Sequence, residues 1–402
     1  MSPRKFAKAV LFHTRRAQIR SLAAPRALPW LRRRLHLPAN DIFEPLAGSL
    51  PADARVVRLD PAGQFQRPLP SLPGASAEAV DFFSHRRLEE TAPTYVAELD
   101  HGVAWGHPTG GIFTSGGCFA PAFTHDPAGA RQHTVWTRLR LPAPRRLPGT
   151  TLYLVTPEAT DNFHHWLIDL LPRLGLVRRA GYNLAAFDHV IVNHAGRGYQ
   201  RSTLEQLGLP MEKVINASEA LLVQCDTLVV PSLKSNHQNL PPADLAFLRE
   251  TFLEPAPVVS RHRKLFLTRN DAAFRRLRNE TDLYPLLRAH DFEIFSPAGV
   301  SLREQARLFS EAAVVAGPAG AAFANLVFAN APAQVIEIAP PQWLSAFHWM
   351  ISARLGLAHT ILLGEGRVMQ GVPDSSARQA DIFVQPDRLA ALLSPTSAMA
   401  SS

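Results

Sequence analysis

From residue 151 to residue 363 the chain alternates short, largely apolar runs with longer amphipathic ones, and this alternation narrows the folds open to it. Residues 152–155, 189–193 and 227–230 read as strands, and 162–180, 200–207 and 243–252 as helices. Pro255-Ala-Pro257 marks a linker, after which the pattern restarts. Strands are expected at 264–268, 292–295, 312–316, 334–338 and 359–363. Helices are expected at 280–290, 302–310, from the glycine turn through Leu326, and at 347–355. Strands that are apolar throughout are buried on both faces, as in parallel sheets. The expected fold is α/β, with two consecutive doubly wound domains at 151–257 and 258–364 and a cleft between them. Residues 41–150 hold many Pro and Gly and short apolar runs such as 95–99 and 111–114, with a turn at Gly116-Gly117. They read as an irregular, β-rich N-terminal region. Residues 365–402 read as a tail with one more helix, at 386–393.

Charge divides the chain unevenly. The net charge is +8, yet residues 1–40 hold ten Lys or Arg and no acidic residue, leaving 32 basic against 34 acidic residues elsewhere. Phe6, Val10, Leu11, Phe12, Trp30 and Leu31 lie among those arginines. Such a basic amphipathic arm suits an anionic membrane surface. The near-neutral body has no basic stripe, which argues against nucleic acid as a partner. Two cysteines build neither a zinc site nor a disulfide framework, so a cytoplasmic, reducing setting is expected. No run has the length of a signal core or a membrane span. With 46% apolar residues the body can bury sizeable cores.

Three segments carry chemistry. The first is N-F-H-H-W-L-I-D-L-L-P-R-L at 162–174. His165 and Asp169 are four residues apart and share one helix face, an arrangement suited to a general base beside a carboxylate. The same spacing also describes a hydrogen-bonded surface pair. His164 points about 100° away from His165 on a helix, so the two do not converge on one metal ion. The second segment is L-T-R-N-D-A-A-F-R-R-L-R-N-E at 267–280, directly after the first strand of the second domain. Its Arg269, Arg275, Arg276 and Arg278 lie where ligands bind in such sheets, and arginine suits phosphate, although a salt-bridged loop with Asp271 and Glu280 fits too. The third is V-V-A-G-P-A-G-A-A-F-A-N at 314–325, a strand, a small-residue turn and a helix start. Free N–H groups there favour an anion such as a pyrophosphate, while tight helix packing is the plainer reading. It lacks both the G-x-G-x-x-G dinucleotide fingerprint and a Walker lysine, which disfavours an NAD-dependent enzyme.

In this order, followed by V-I-E-I, the segments resemble glycosyltransferase family 61, which includes bacterial capsular-polysaccharide biosynthesis proteins. The resemblance covers about residues 150–340. It implies two facing Rossmann-like domains, the GT-B arrangement. It also implies a nucleotide diphosphate sugar as donor, inversion at the anomeric carbon, and neither a cofactor nor an obligatory metal. By position, His165 and Asp169 match the family's histidine and aspartate signature. Arg269, Arg276, Asn279 and Glu280 match its arginine-rich motif, and Gln305 a glutamine on the helix before the turn. Gly317, Gly320, Ala321 and Asn325 match the turn and its helix, and Glu337 the acid on the next strand. Many members have a histidine where this chain has Ala319. The expected protein is a peripheral enzyme of the inner membrane face acting on a saccharide or lipid-linked acceptor. An inactive assembly or regulatory protein, and a hydrolase or other transferase of phosphorylated sugars, are the alternatives.

Overall fold

A computed structural model describes residues 44–46, 52–124, 133–138, 140–234, 237–254, 261–368 and 375–394. The basic arm at 1–40 and the linker prolines lie outside these residues. The chain divides into two compact units, each assembled from separate stretches. The first takes 92–235 together with the residues before 63, and the second takes 63–91 together with 236 onwards. Among the described residues, no helix is long and apolar enough to cross a membrane.

The first unit is one mixed sheet. Its strands begin with β1 (Ala54–Asp60). After β2 (Gly63–Gln66) and β3 (Leu88–Thr91), which belong to the second unit, come β4 (Thr94–Asp100), β5 (Val103–Trp105) and β6 (Ile112–Phe113). Then follow β7 (Arg145–Tyr153), β8 (His189–Val192), β9 (Val214–Asn216) and β10 (Leu222–Pro231). The order is β1-β4-β10-β7-β8-β9, with β5 also on β10. Strands β10, β7, β8 and β9 run parallel, as the crossover helices require, whereas β4 and β5 meet β10 antiparallel. The stretch expected to be irregular thus supplies regular strands to this sheet. Ala97, Leu99, Tyr153, Ile191, Leu228 and Val230 fill one apolar cluster under it.

The second unit is a wholly parallel sheet of β11 (Arg263–Leu267), β12 (Phe292–Phe295), β13 (Ala312–Pro318), β14 (Gln334–Ala339) and β15 (Ala358–Leu363). The order β12-β11-β13-β14-β15 is a doubly wound one, reversing direction between β11 and β13. One cluster joins Phe266, Ile336 and Ile338 to Leu283 and Leu287 of the Glu280–Ala289 helix. A second joins Ile361 and Ala319 to Trp349 of the Phe347–Leu355 helix and to Phe83 of the Ala77–Ser84 helix. Residues 63–91 are therefore integral to this unit. Ser71 exchanges backbone hydrogen bonds with the edge of β15, accepting from Ile361 N–H and donating to His359 O, at 2.9 and 2.8 Å. Buried Glu89 bridges Arg67 and Arg354 at 3.1 and 2.9 Å. Charges taken out of water persist only when paired in this way.

Candidate functional site

In the first unit the polar groups gather where the parallel strands β10, β7 and β8 end. Strand β7 runs through the Glu158 loop into the Phe163–His165 helical turn, β8 ends beside Asn193, and β10 leads to Lys234. Asn162 caps the turn, its side chain accepting from His164 N–H at 3.0 Å. The expected continuous helix is interrupted. Trp166–Leu170 is π-helical, and α-helix resumes over Leu171–Arg179. Pro172 has no N–H, so the Ile168 carbonyl lacks its helical donor. The Lys234 ammonium donates to that carbonyl instead and lies 3.4 Å from Asp169 Oδ1. Arg173, also buried, donates to the carbonyl oxygens of Val155 and Pro231 at 3.1 and 2.8 Å, tying the ends of β7 and β10 together.

His165 and Asp169 are buried and joined, Nδ1 to Oδ2, at 2.7 Å. The other ring nitrogen, Nε2, is 2.8 Å from Oε2 of Glu158, whose side chain is 62% exposed. A ring that donates from both nitrogens is an imidazolium. Burial pulls its pKa down, but the hydrogen bonds and charges of Asp169 and Glu158 outweigh burial and raise it to about 9. The surface-pair reading of the sequence is corrected here, because burial gives the pair a dry surrounding. Neither Glu158 nor Lys234 is marked by any periodicity.

In the second unit the loop leaving β11 and the turn leaving β13 sit side by side at the point where the sheet reverses. Gly317 has φ 150°, and a Cβ there would lie 2.6 Å from the Leu267 carbonyl oxygen on β11. A Cβ on Gly320 would lie 2.8 Å from the guanidinium carbon of Arg269. The small residues of the turn thus let the arginine lie flat on the backbone. Arg269 Nη2 donates to Phe274 O at 3.0 Å, and its backbone N–H donates to Glu280 Oε2 at 3.3 Å. Arg275 stands 4.6 Å over the Trp343 ring. Burial, then the charge of Arg269, lowers the Arg275 pKa to about 10 against the pull of Glu337. The Nε atoms of both arginines are buried with no hydrogen-bond partner among the described residues. Two partly desolvated guanidiniums side by side form a site suited to an anion.

The remaining expected residues are placed as follows. Arg276 is exposed and turns to Asp381, with its N–H and Nη2 at 2.9 and 3.2 Å, so it does not join Arg269. Asn279 is buried and donates to Val384 O at 2.8 Å. Glu280, beneath the loop, accepts from Thr268 and from the Tyr284 hydroxyl. Asn325 donates to Gln305 at 2.7 Å, fastening the turn to the Leu302–Ser310 helix. Ala321 opens a 3-10 helix, Ala321–Phe328, where an α-helix was expected. Glu337 is buried between His348 and His359, at 2.7 and 3.2 Å. Burial raises its pKa, but the two histidines outweigh this and bring it to about 2. Ala319 is buried against the Phe83 and Trp349 cluster.

Both polar clusters lie at the carboxyl ends of parallel strands, where α/β sheets bind their ligands, and comparison with known families points to a glycosyltransferase. The model of Glycosyltransferase 61 matches residues 163–336. The matched span runs from the His165 turn into β14 and takes in both the arginine loop and the glycine turn; Glu158 and Glu337 fall outside it. No curated protein matches the chain.

Proposed function

We propose that the chain is an inverting glycosyltransferase that moves a sugar from a nucleotide diphosphate donor to a saccharide or lipid-linked acceptor without a metal. The observation that carries this reading is the guanidinium of Arg269 lying on Gly320 beside Arg275, where the doubly wound sheet reverses. Arg269 and Arg275 would neutralise the diphosphate as its bond to the sugar breaks, assisted by the N–H groups of Gly320 and Ala321. His165, oriented by Asp169, would take the acceptor hydroxyl proton at Nε2. Asp169 acting directly is a weaker reading, since both its oxygens already face cations, His165 and Lys234. The substrate class would suit surface-polysaccharide assembly, including capsular polysaccharide, at the inner face of a membrane reached through residues 1–40.

Titration calorimetry with uridine and guanosine diphosphates and their sugars tests the donor assignment. Arg269→Ala should weaken diphosphate binding about a hundredfold. His165→Ala should keep that binding and lose about a hundredfold or more in turnover. Full turnover in His165→Ala sinks the base assignment, and nuclear magnetic resonance of the product's anomeric centre decides inversion.

A further inference from the structure

We infer that Glu158 is a positioning residue that occupies Nε2 of His165 in the resting enzyme and is displaced from it by the acceptor hydroxyl, so that water is kept from the donor until an acceptor is bound. The inference rests on the base role proposed for His165.

Three observations carry it. The carboxylate sits 2.8 Å from the one ring nitrogen that Asp169 does not hold. Its loop is fixed at both shoulders. Thr156 N–H donates to Asn193 Oδ1 and Asn193 Nδ2 to Thr160 Oγ1, each at 2.8 Å, while Gln200 Nε2 donates to Thr160 O at 3.0 Å. Between those shoulders Glu158 holds φ 62°, a left-handed conformation that costs a residue with a Cβ about 1 kcal/mol or more. A strained backbone on a rigid loop, ending in an exposed carboxylate on a buried ring, aims one group at one atom.

The chemistry explains what the contact does. Within the first unit, Asp169, Glu158 and Lys234 face this ring or its partner, and the His164 ring stands edge-on to it with centroids 5.3 Å apart. With both nitrogens on carboxylates, His165 holds two protons and has no lone pair to offer. When an acceptor hydroxyl enters, Glu158 swings into solvent and carries the Nε2 proton to water. The lone pair of Nε2 then faces the hydroxyl. As the acceptor oxygen forms its bond to the anomeric carbon, its proton passes to Nε2. The bond from that carbon to the diphosphate oxygen breaks, its electron pair leaving with the diphosphate. The imidazolium is thereby restored and Glu158 returns.

The full-length protein and its Glu158→Gly and Glu158→Gln variants provide the test. Glycine accepts the left-handed backbone at no steric cost, so the loop is retained. Labelling with diethyl pyrocarbonate, read at His165 by mass spectrometry, should be about tenfold faster in Glu158→Gly than in the parent. In the same variant, donor hydrolysis without acceptor should rise several-fold relative to transfer. Glu158→Gln, which keeps the shape but not the charge, should fall between. Equal labelling rates, or faster labelling with an unchanged ratio of hydrolysis to transfer, overturn the inference. Failure of the underlying base role reads differently, as turnover retained in His165→Ala.

Discussion

At the scale of the residue, His165 carries two acidic neighbours of different kinds. Asp169 is buried with it and fixed by Lys234, whereas Glu158 reaches it from solvent. Its raised pKa has a consequence for stability. A base that gains protons on folding stabilises the fold fully below its unfolded value of 6.5 and loses that contribution as pH rises through about 9. Unfolding free energy should therefore fall across this window, and fall less steeply in His165→Ala. Urea denaturation on either side of the window checks it, and parallel slopes in the two proteins count against the doubly bound ring. The His165–Asp169 pair was legible in the sequence because helix spacing encodes it. Glu158 was not, since a loop that doubles back on a helix start has no periodicity. Lys234 lies 66 residues from the Ile168 carbonyl it caps, and only Pro172, a proline within a helical pattern, hinted that a carbonyl would need an outside donor.

At the scale of the element, the turn after β13 separates two uses of glycine. Gly317 needs both its positive φ and its closeness to Leu267 O, so it serves the sheet. Gly320 has extended backbone that any residue can adopt, and its missing Cβ makes room only for Arg269. Gly317→Ala should cost about 1–3 kcal/mol in urea denaturation. Gly320→Ala should leave stability nearly unchanged, because a guanidinium can shift, and should weaken diphosphate binding as strongly as Arg269→Ala. Loss of stability in Gly320→Ala with binding intact contradicts this division. The strands and helices of this unit from residue 263 onwards were readable almost throughout, since apolar runs between Gly and Pro have few alternatives. The arginine that joins Arg269 was not readable, because four arginines share one loop and only tertiary contacts decide that Arg275 turns inward while Arg276 pairs with Asp381.

At the scale of the whole molecule, the second unit is completed by residues 63–91, far upstream of its sheet. Sequence pattern shows which segments are apolar but not which sheet an early segment will join, so this excursion was invisible until Trp349 and Glu89 were seen in place. Glu89→Gln leaves Arg67 and Arg354 without their counter-charge and should cost about 3–5 kcal/mol, read as a lowered urea midpoint with a normal far-ultraviolet spectrum. An unchanged midpoint would mean that the apolar contacts of Phe83 and the pairing of Ser71 with β15 hold the excursion without the ion pairs. The same connectivity bears on inheritance. The chain passes from one unit to the other at 62/63, 91/92 and 235/236. Exchanging the second unit for that of another gene takes three matched recombination junctions rather than one. Lineages built this way should therefore change the second unit through point substitutions within it, not through the shuffling of whole halves.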